Sequence, residues 1–286
     1  MIESLSPRII KYLSDKYHIK LTKSLGQNLL MDRNVAEKIA EHATMDCGDK
    51  QILEIGPGFG SLTLPLSRRS AHVTAVEIDS HLVPLLEEAL ADTENVELVN
   101  ADFLKFDLSQ MTAPWMICGN LPYNITTPII MKILEQNNLP ERMTFMVQKE
   151  VADRIAAGPG GKERGAVSVL VQYMCKVERV MEVSRNVFYP KPEVDSSVIV
   201  LRPGDRSEIA TGTPESADYK FFKKVVRASF SQRRKMIKTP LLGVLPDKEK
   251  ILMALADAGV PDTARAETLT IKQFINLSAE IKKKLV

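Results

Sequence analysis

The sequence predicts an α/β protein: a mostly parallel sheet covered on both faces, then a small all-helical domain. Three observations predict it. Short apolar runs alternate with helix-like stretches as far as Leu201, the pattern of strands joined by crossover helices. The stretch 202–218, RPGDRSEIATGTPESAD, then breaks the alternation with Gly, Pro, Ser and Thr. Beyond it only helical spacing recurs. The 286 residues suit one large and one small domain. We place the first at 1–205, with a helical N-terminal extension, and the second at 206–286.

Each element follows from its local pattern. Gln51–Ile55 is a short apolar strand, Ser61–Ser70 is helix-like, and His72–Glu77 is a second strand. Leu82–Ala91 is a helix with Leu82, Leu85, Leu86 and Leu90 on one face. Val96–Val99 and Trp115–Cys118 are the third and fourth strands. Thr127–Gln136 is a helix, because its early Pro128 is tolerated in a first turn. Thr144–Val147 is the fifth strand. Val167–Met174 reads as helix, and Val177–Val183 and Ser197–Leu201 as strands. In the second domain Phe221, Phe222, Val225, Val226 and Phe230 share one helical face. Ile251, Leu252 and Leu255 share another, and Ile271, Phe274, Ile275, Ile281 and Leu285 a third.

Composition excludes several classes. No apolar stretch is long enough to cross a membrane, and the charged N-terminus is unlike a secretory signal. Cys47, Cys118 and Cys175 are far apart, without metal-ligand spacing. They read as reduced, buried thiols of a cytoplasmic protein. The four His also lack ligand spacing, so no metal is expected. The net charge is only +2, but Lys220–Lys238 holds eight basic residues and no acid. Removing them from the 38 leaves 30 basic against 36 acidic residues. Positive charge is segregated, which points to a polyanionic partner. The plainer alternative is a solvated helix face. Lys223, Arg227, Arg233, Arg234 and Lys235 are the candidate contacts.

Glu54-Ile55-Gly56-Pro57-Gly58-Phe59-Gly60 closes the first strand and opens a helix. The spacing is G-x-G-x-G rather than the dinucleotide G-x-G-x-x-G. Gly56 and Gly58 allow close backbone approach, and Pro57 removes one N–H that would cradle a pyrophosphate. Glu54 repels phosphate and attracts an amine. An acid before such a loop fits a zwitterionic ligand such as S-adenosylmethionine better than NAD. Glu77, beside Ile78, ends the second strand where a carboxylate accepts ribose hydroxyls. Asp102 follows the third strand, placed to accept from an adenine amino group with Phe103 against the ring. Any βα turn can be Gly-rich, Glu77 alone is equally explained as a solvated strand end, and Asp102 alone as a helix cap; the coincidence of the three acids and the Gly loop at consecutive strand ends is the stronger signal. Asn120-Leu121-Pro122-Tyr123 follows the fourth strand. An Asn, a backbone stiffened by Pro and an exposed aromatic suit the holding of a flat, amino-bearing ring.

With these motifs in place, the chain resembles the Rossmann-like class I methyltransferases that use S-adenosylmethionine. More narrowly, it resembles the ribosomal RNA adenine-N6 dimethyltransferases, and their bacterial KsgA-like branch. The resemblance runs over nearly the whole chain. Lys23-Ser24-Leu25-Gly26-Gln27-Asn28 is similar to the family's N-terminal cofactor motif, with Leu29-Leu30 where Phe-Leu is usual. Gln148–Ala152, Arg164-Gly165-Ala166, Gln172-Tyr173, Phe188–Ser196 and Ser229–Lys235 continue it. The Lys23–Gln27 motif and the basic tail argue against the large-subunit drug-resistance methyltransferases, which share the core.

The resemblance implies a seven-stranded sheet, and cofactor contacts from Asn28, Leu30, Glu54, Gly56, Gly58, Glu77, Ile78, Asp102, Phe103 and Asn120. It implies catalysis at Asn120, Leu121, Pro122 and Tyr123. The Asn120 oxygen and the Leu121 or Pro122 carbonyl accept from the target N6, Tyr123 stacks on the extruded base, and Phe188 covers its other face. S-adenosylhomocysteine is the implied product. The implied substrate is two adjacent adenosines in the 3′-terminal hairpin loop of small-subunit RNA, within an assembling 30S particle, and the implied state is a monomer. Two rivals stand beside this: an adenine-N6 methyltransferase of another nucleic acid, and an assembly checkpoint that acts mainly by binding.

Overall fold

The computed structural model describes residues 7–19, 28–46, 48–204 and 216–285. Helix α1 (Pro7–Lys16) precedes a two-residue strand β1 (Leu29–Leu30) and helix α2 (Arg33–Thr44). Asp32 caps α2, accepting from Val35 N at 3.0 Å. Then β2 (Gln51–Ile55), α3 (Thr63–Ser67), β3 (His72–Glu77), α4 (Val83–Ala89), β4 (Val96–Asn100), β5 (Trp115–Asn120), α5 (Thr126–Leu134), β6 (Arg142–Gln148) and α6 (Lys149–Ala156) alternate. They are followed by α7 (Ala166–Met174), β7 (Cys175–Val183), β8 (Phe188–Tyr189) and β9 (Ser196–Pro203). The chain closes with α8 (Ala217–Ser229), α9 (Lys238–Leu241), α10 (Lys248–Asp257) and α11 (Ile271–Lys283).

Seven strands form one sheet in the order β4-β3-β2-β5-β6-β9-β7. The β2–β3, β3–β4, β2–β5 and β5–β6 pairs are parallel; β9 runs antiparallel to β6. This is the mostly parallel seven-stranded sheet that the sequence predicts. From β2 the chain winds outward through β3 and β4, then restarts on the other side with β5. The topological switch point therefore lies between β2 and β5, where open α/β sheets form their binding crevice. The sheet is apolar on both faces: Ile52, Leu53, Val73 and Ala75 are fully buried. On α4 and its flanks, Leu82, Leu85 and Leu86 are fully buried and Leu90 nearly so. The fourth strand runs two residues past the predicted Cys118, because Gly119 and Asn120 still pair with Phe145 and Met146.

The chain forms two compact units, Met1–Ala152 with Glu178–Arg202, and Asp153–Val177 with Pro203–Val286. The last crossing between them falls at 202/203, and 153–177 belongs with the helical unit. The cause is aromatic packing. The Tyr173 ring on α7 lies 4.5 Å from that of Phe222 and 5.9 Å from that of Tyr219, both on α8. Among the described residues no helix is long and apolar enough to cross a membrane. Cys118 and Cys175 are buried and form no disulfide among the described residues; Cys47 lies outside the described residues.

Candidate active site

The glycine loop after β2 lies in left-handed backbone, with φ of +65° at Gly56, +60° at Gly58 and +81° at Gly60. L side chains are strained there. A Cβ at Gly58 would also stand 3.0 Å from Leu29 Cδ2, so glycine lets β1 close on the loop. Glu77, at the end of β3, ties this loop down. Its carboxylate accepts from Gly58 N at 3.1 Å and from Asp79 N at 2.9 Å. Burial nevertheless pushes its pKa above the usual carboxylate value, opposed by those backbone bonds. Glu54, on β2, is 1 % exposed, and its Oε2 makes no hydrogen bond among the described residues. Burial raises its pKa to about 8; the Thr63 hydroxyl opposes the shift and nearby Glu77 adds to it.

Asn120 ends β5, across the switch point. Its Nδ2 donates to the Asn28 carbonyl at 2.8 Å, which turns the amide and leaves Oδ1 as its acceptor end. A Cβ at Gly119 would stand 2.7 Å from the Ile55 carbonyl oxygen, so only glycine lets β5 approach β2 here. Leu121 N donates to Met146 O at 3.0 Å. The Pro122 carbonyl already accepts from Ile125 N at 3.2 Å and the Thr126 hydroxyl at 3.0 Å. Of the two predicted carbonyls, the one at Leu121 is therefore the better second acceptor. Tyr123 is partly buried, and its hydroxyl lies 2.9 Å from the Ser196 hydroxyl. One cleft collects Asn28, Leu29, Leu30, Glu54, Gly56, Gly58, Glu77, Ile78 and Asn120–Tyr123.

Comparison with known proteins decides the family. The family model described as ribosomal RNA adenine dimethylase matches residues 18–283. The chain belongs to this family. It is 43% identical over 288 residues to Ribosomal RNA small subunit methyltransferase A of Anoxybacillus flavithermus, covering 96% of this chain and 95% of that one. The protein of that name from Clostridioides difficile is 42% identical, covering 96% of each. Among solved structures, the 23S rRNA methyltransferase ErmE matches with 31% identity and a TM-score of 0.68, covering 89% of this chain and all of that one. A dimethyladenosine transferase from Plasmodium falciparum matches with 25% identity and a TM-score of 0.75, covering 90% of this chain and 98% of that one.

The protein is thus an S-adenosylmethionine-dependent rRNA adenine methyltransferase of Rossmann-like fold. The cleft fits that cofactor. Glu54 Oε2, buried and without a hydrogen bond among the described residues, suits a cationic or hydrogen-donating partner, and an amine is one. The Glu77 oxygens keep lone pairs for hydroxyls beyond the two N–H groups. Ile78, half exposed at the cleft edge, offers an apolar face to a purine. When bound, the cofactor supplies an electrophilic methyl group. The chain's own task is to aim the adenine N6. Asn120 Oδ1 and the Leu121 carbonyl belong to residues of the cleft lining, and they are the two acceptors that the N–H groups of an exocyclic amine would meet there, a matter of positioning and fixed dipoles.

Three predicted residues stand elsewhere. Phe188 is not at the cleft. It is 4 % exposed and packs in the core with Leu30, Ile39, Met146 and Val198. Its register opposite Leu30 on the β1–β8 ribbon points it inward, and alternation sends Tyr189 outward. Phe103 is buried, stacked on Phe106 at 6.5 Å, with the Lys132 ammonium 5.8 Å above its ring. Asp102 is outside the cleft lining, and its Oδ1 accepts from Leu104 N at 2.9 Å. The turn after β4 uses both residues locally. Lys23–Gln27 lie outside the described residues.

In the helical unit, α8 buries Tyr219, Phe222, Val225, Val226 and Ser229. Its other side carries Lys220, Lys224 and Arg227, all exposed, with Lys223 half-buried; Arg234 and Lys235 stand exposed beyond it. Arg233 differs. Its guanidinium donates to the Lys162 carbonyl at 2.6 Å and to the Arg164 carbonyl at 3.1 Å. It clamps the loop after α6, a role no motif announced. Sequence reasoning also missed Ser196, whose partnership with Tyr123 spans 73 residues, and the orienting Asn28 carbonyl. Among the described residues no cluster of His, Cys, Asp and Glu could hold a metal ion.

Proposed function

We propose that the protein dimethylates N6 of two adjacent adenosines in the 3′-terminal hairpin loop of small-subunit (16S) ribosomal RNA. It acts as a cytoplasmic monomer on a maturing 30S particle, with S-adenosylhomocysteine as product. The carrying observation is the length and level of similarity to proteins named small-subunit methyltransferase A, 42–43% over 95–96% of both chains. The 23S enzyme is more distant, at 31%. The segregated basic residues of α8 and the turn after it support a large polyanionic substrate. The paired acceptors Asn120 Oδ1 and Leu121 O suit an exocyclic amine.

The test is methyl transfer from radiolabelled S-adenosylmethionine to undermethylated small subunits, large subunits and DNA. Label is expected in small-subunit RNA as N6,N6-dimethyladenosine near the 3′ end, read by nuclease mapping and mass spectrometry. Label confined to large-subunit RNA or DNA would refute the proposal.

A further inference from the structure

Tyr189 is 62 % exposed, although it sits in a short run of apolar and aromatic residues. On the β1–β8 ribbon it pairs with Leu29. Directly opposed residues of antiparallel strands share a face. Leu29 lines the cleft and touches the position of Gly58. Tyr189 is outside the cleft lining itself, but its exposed ring shares the ribbon face on which Leu29 Cδ2 meets the Gly58 loop, while Phe188 anchors the other face in the core.

The segment carrying it is braced. Arg185 N donates to the Asp195 carboxylate at 2.9 Å, and the Arg185 guanidinium donates to the Glu193 carbonyl at 2.7 Å. Lys149 N donates to the Asp195 carbonyl at 3.0 Å. The next residue, Ser196, meets the Tyr123 hydroxyl at 2.9 Å. A ring on such a support gives up little freedom when it is covered. Around it Pro190, Lys191, Glu193 and Asp195 are exposed, and Val194 is 44 % exposed. The exposed residues that follow it are mostly polar or charged, unlike the apolar centre of a protein partner's site. The flat ring suits a base, and Lys191, two positions on, is the cation of this segment that could meet an adjoining phosphate, with the acids Glu193 and Asp195 limiting the attraction to that one contact.

We propose that Tyr189 is a stacking platform for an unpaired nucleobase adjoining the target adenosine, with Lys191 beside its phosphate. This rests on the reading of the substrate as a loop of small-subunit RNA, where two neighbouring adenosines enter the pocket in turn. The platform positions RNA and does not touch the reacting atoms. It holds one base at the rim while its neighbour is extruded, lowering the cost of unstacking.

The test is steady-state methylation of undermethylated small subunits by the full-length protein and its Tyr189→Ala, Tyr189→Leu and Tyr189→Phe variants. Base–aromatic stacking predicts that Tyr189→Ala raises KM for the particle roughly 5- to 150-fold. The turnover number and the Kd for S-adenosylmethionine are expected to stay within about twofold. Tyr189→Phe should restore KM and Tyr189→Leu should not. An unchanged KM in Tyr189→Ala overturns the platform, as does full rescue by Leu, which would mean simple apolar contact. A wild-type protein that leaves small-subunit RNA unlabelled strikes the proposed function instead. Wild-type activity with KM indifferent to Tyr189 strikes only the platform.

Discussion

The cleft at the switch point and the basic side of α8 handle charge in opposite ways. Glu54 and Glu77 are 1 % and 4 % exposed, and burial raises the pKa of both. Lys220, Lys224, Arg227, Arg234 and Lys235 stand in solvent. A buried group acts through one geometry and is barely screened by salt. Exposed charges act as a sum, each worth little, and fade within a Debye length of about 8 Å at physiological ionic strength. The cleft is therefore built to discriminate and the helix face to attract. Single substitutions should be severe in the first region and graded in the second.

The largest effect expected is structural. Phe188→Ala should destabilise the protein by about 3–5 kcal/mol, the usual cost of emptying a buried aromatic site, read by denaturant unfolding. An unaltered unfolding midpoint with lost methylation would return Phe188 to the target base. Next, Asn120→Ala removes one of two fixed acceptors. It should lower kcat by about 10²- to 10³-fold while the Kd for S-adenosylmethionine, measured by calorimetry, stays near wild type. Near-normal turnover would mean that Asn120 does not aim N6.

Glu54 sharpens the comparison through pH. With a folded pKa of about 8 and an ordinary unfolded value, its carboxyl is neutral in the folded protein at pH 7 and ionised in the unfolded chain. The pH-dependent part of its burial cost is absent at low pH, grows from the unfolded pKa to about 8 and is constant above. A cationic ligand favours the ionised form, so binding expels a proton. Affinity for S-adenosylmethionine should rise between pH 6 and 8, by at most about tenfold per unit. Glu54→Gln should flatten that slope, and an equally steep slope in the variant would remove Glu54 from the amine site. The smallest single effects belong to the helix face. Arg227→Ala, Arg234→Ala and Lys235→Ala should each weaken RNA binding a few-fold and lower the salt slope by about one. Arg233→Ala should add loss of stability, because its bonds go to the Lys162 and Arg164 carbonyls. Identical behaviour of Arg233 and Arg234 would blur that distinction.

What was legible in the sequence followed from the parallel sheet. Parallel strands bring their carboxyl ends to one edge, so Glu54, Glu77 and Asn120 could be grouped from strand positions alone. Phe188 could not be placed so. Phe188 and Tyr189 are adjacent aromatics, and which one faces inward depends on register against Leu29 and Leu30, strands too short to show a period. Asp102 and Phe103 stand outside the cleft lining for another reason: a turn's own N–H group and a neighbouring ring engage them locally. The assignment of 153–177 to the helical unit rests on Tyr173 packing against α8, a contact with no signature along the chain. The roles of Ser196 and Arg233 are likewise set by partners distant in sequence.

The bond from Asn120 Nδ2 to the Asn28 carbonyl has a stereochemical consequence. A carboxamide turned end for end has nearly the same shape but the opposite polarity. Reversed, Asn120 would present hydrogens to the hydrogens of the adenine amine and repel the group it should receive. One backbone oxygen, 92 positions earlier in the chain, thus sets the sign of the interaction rather than its strength. Until residue 28 is seated, nothing in this bond holds the Asn120 carboxamide one way round, and either end could face the cleft.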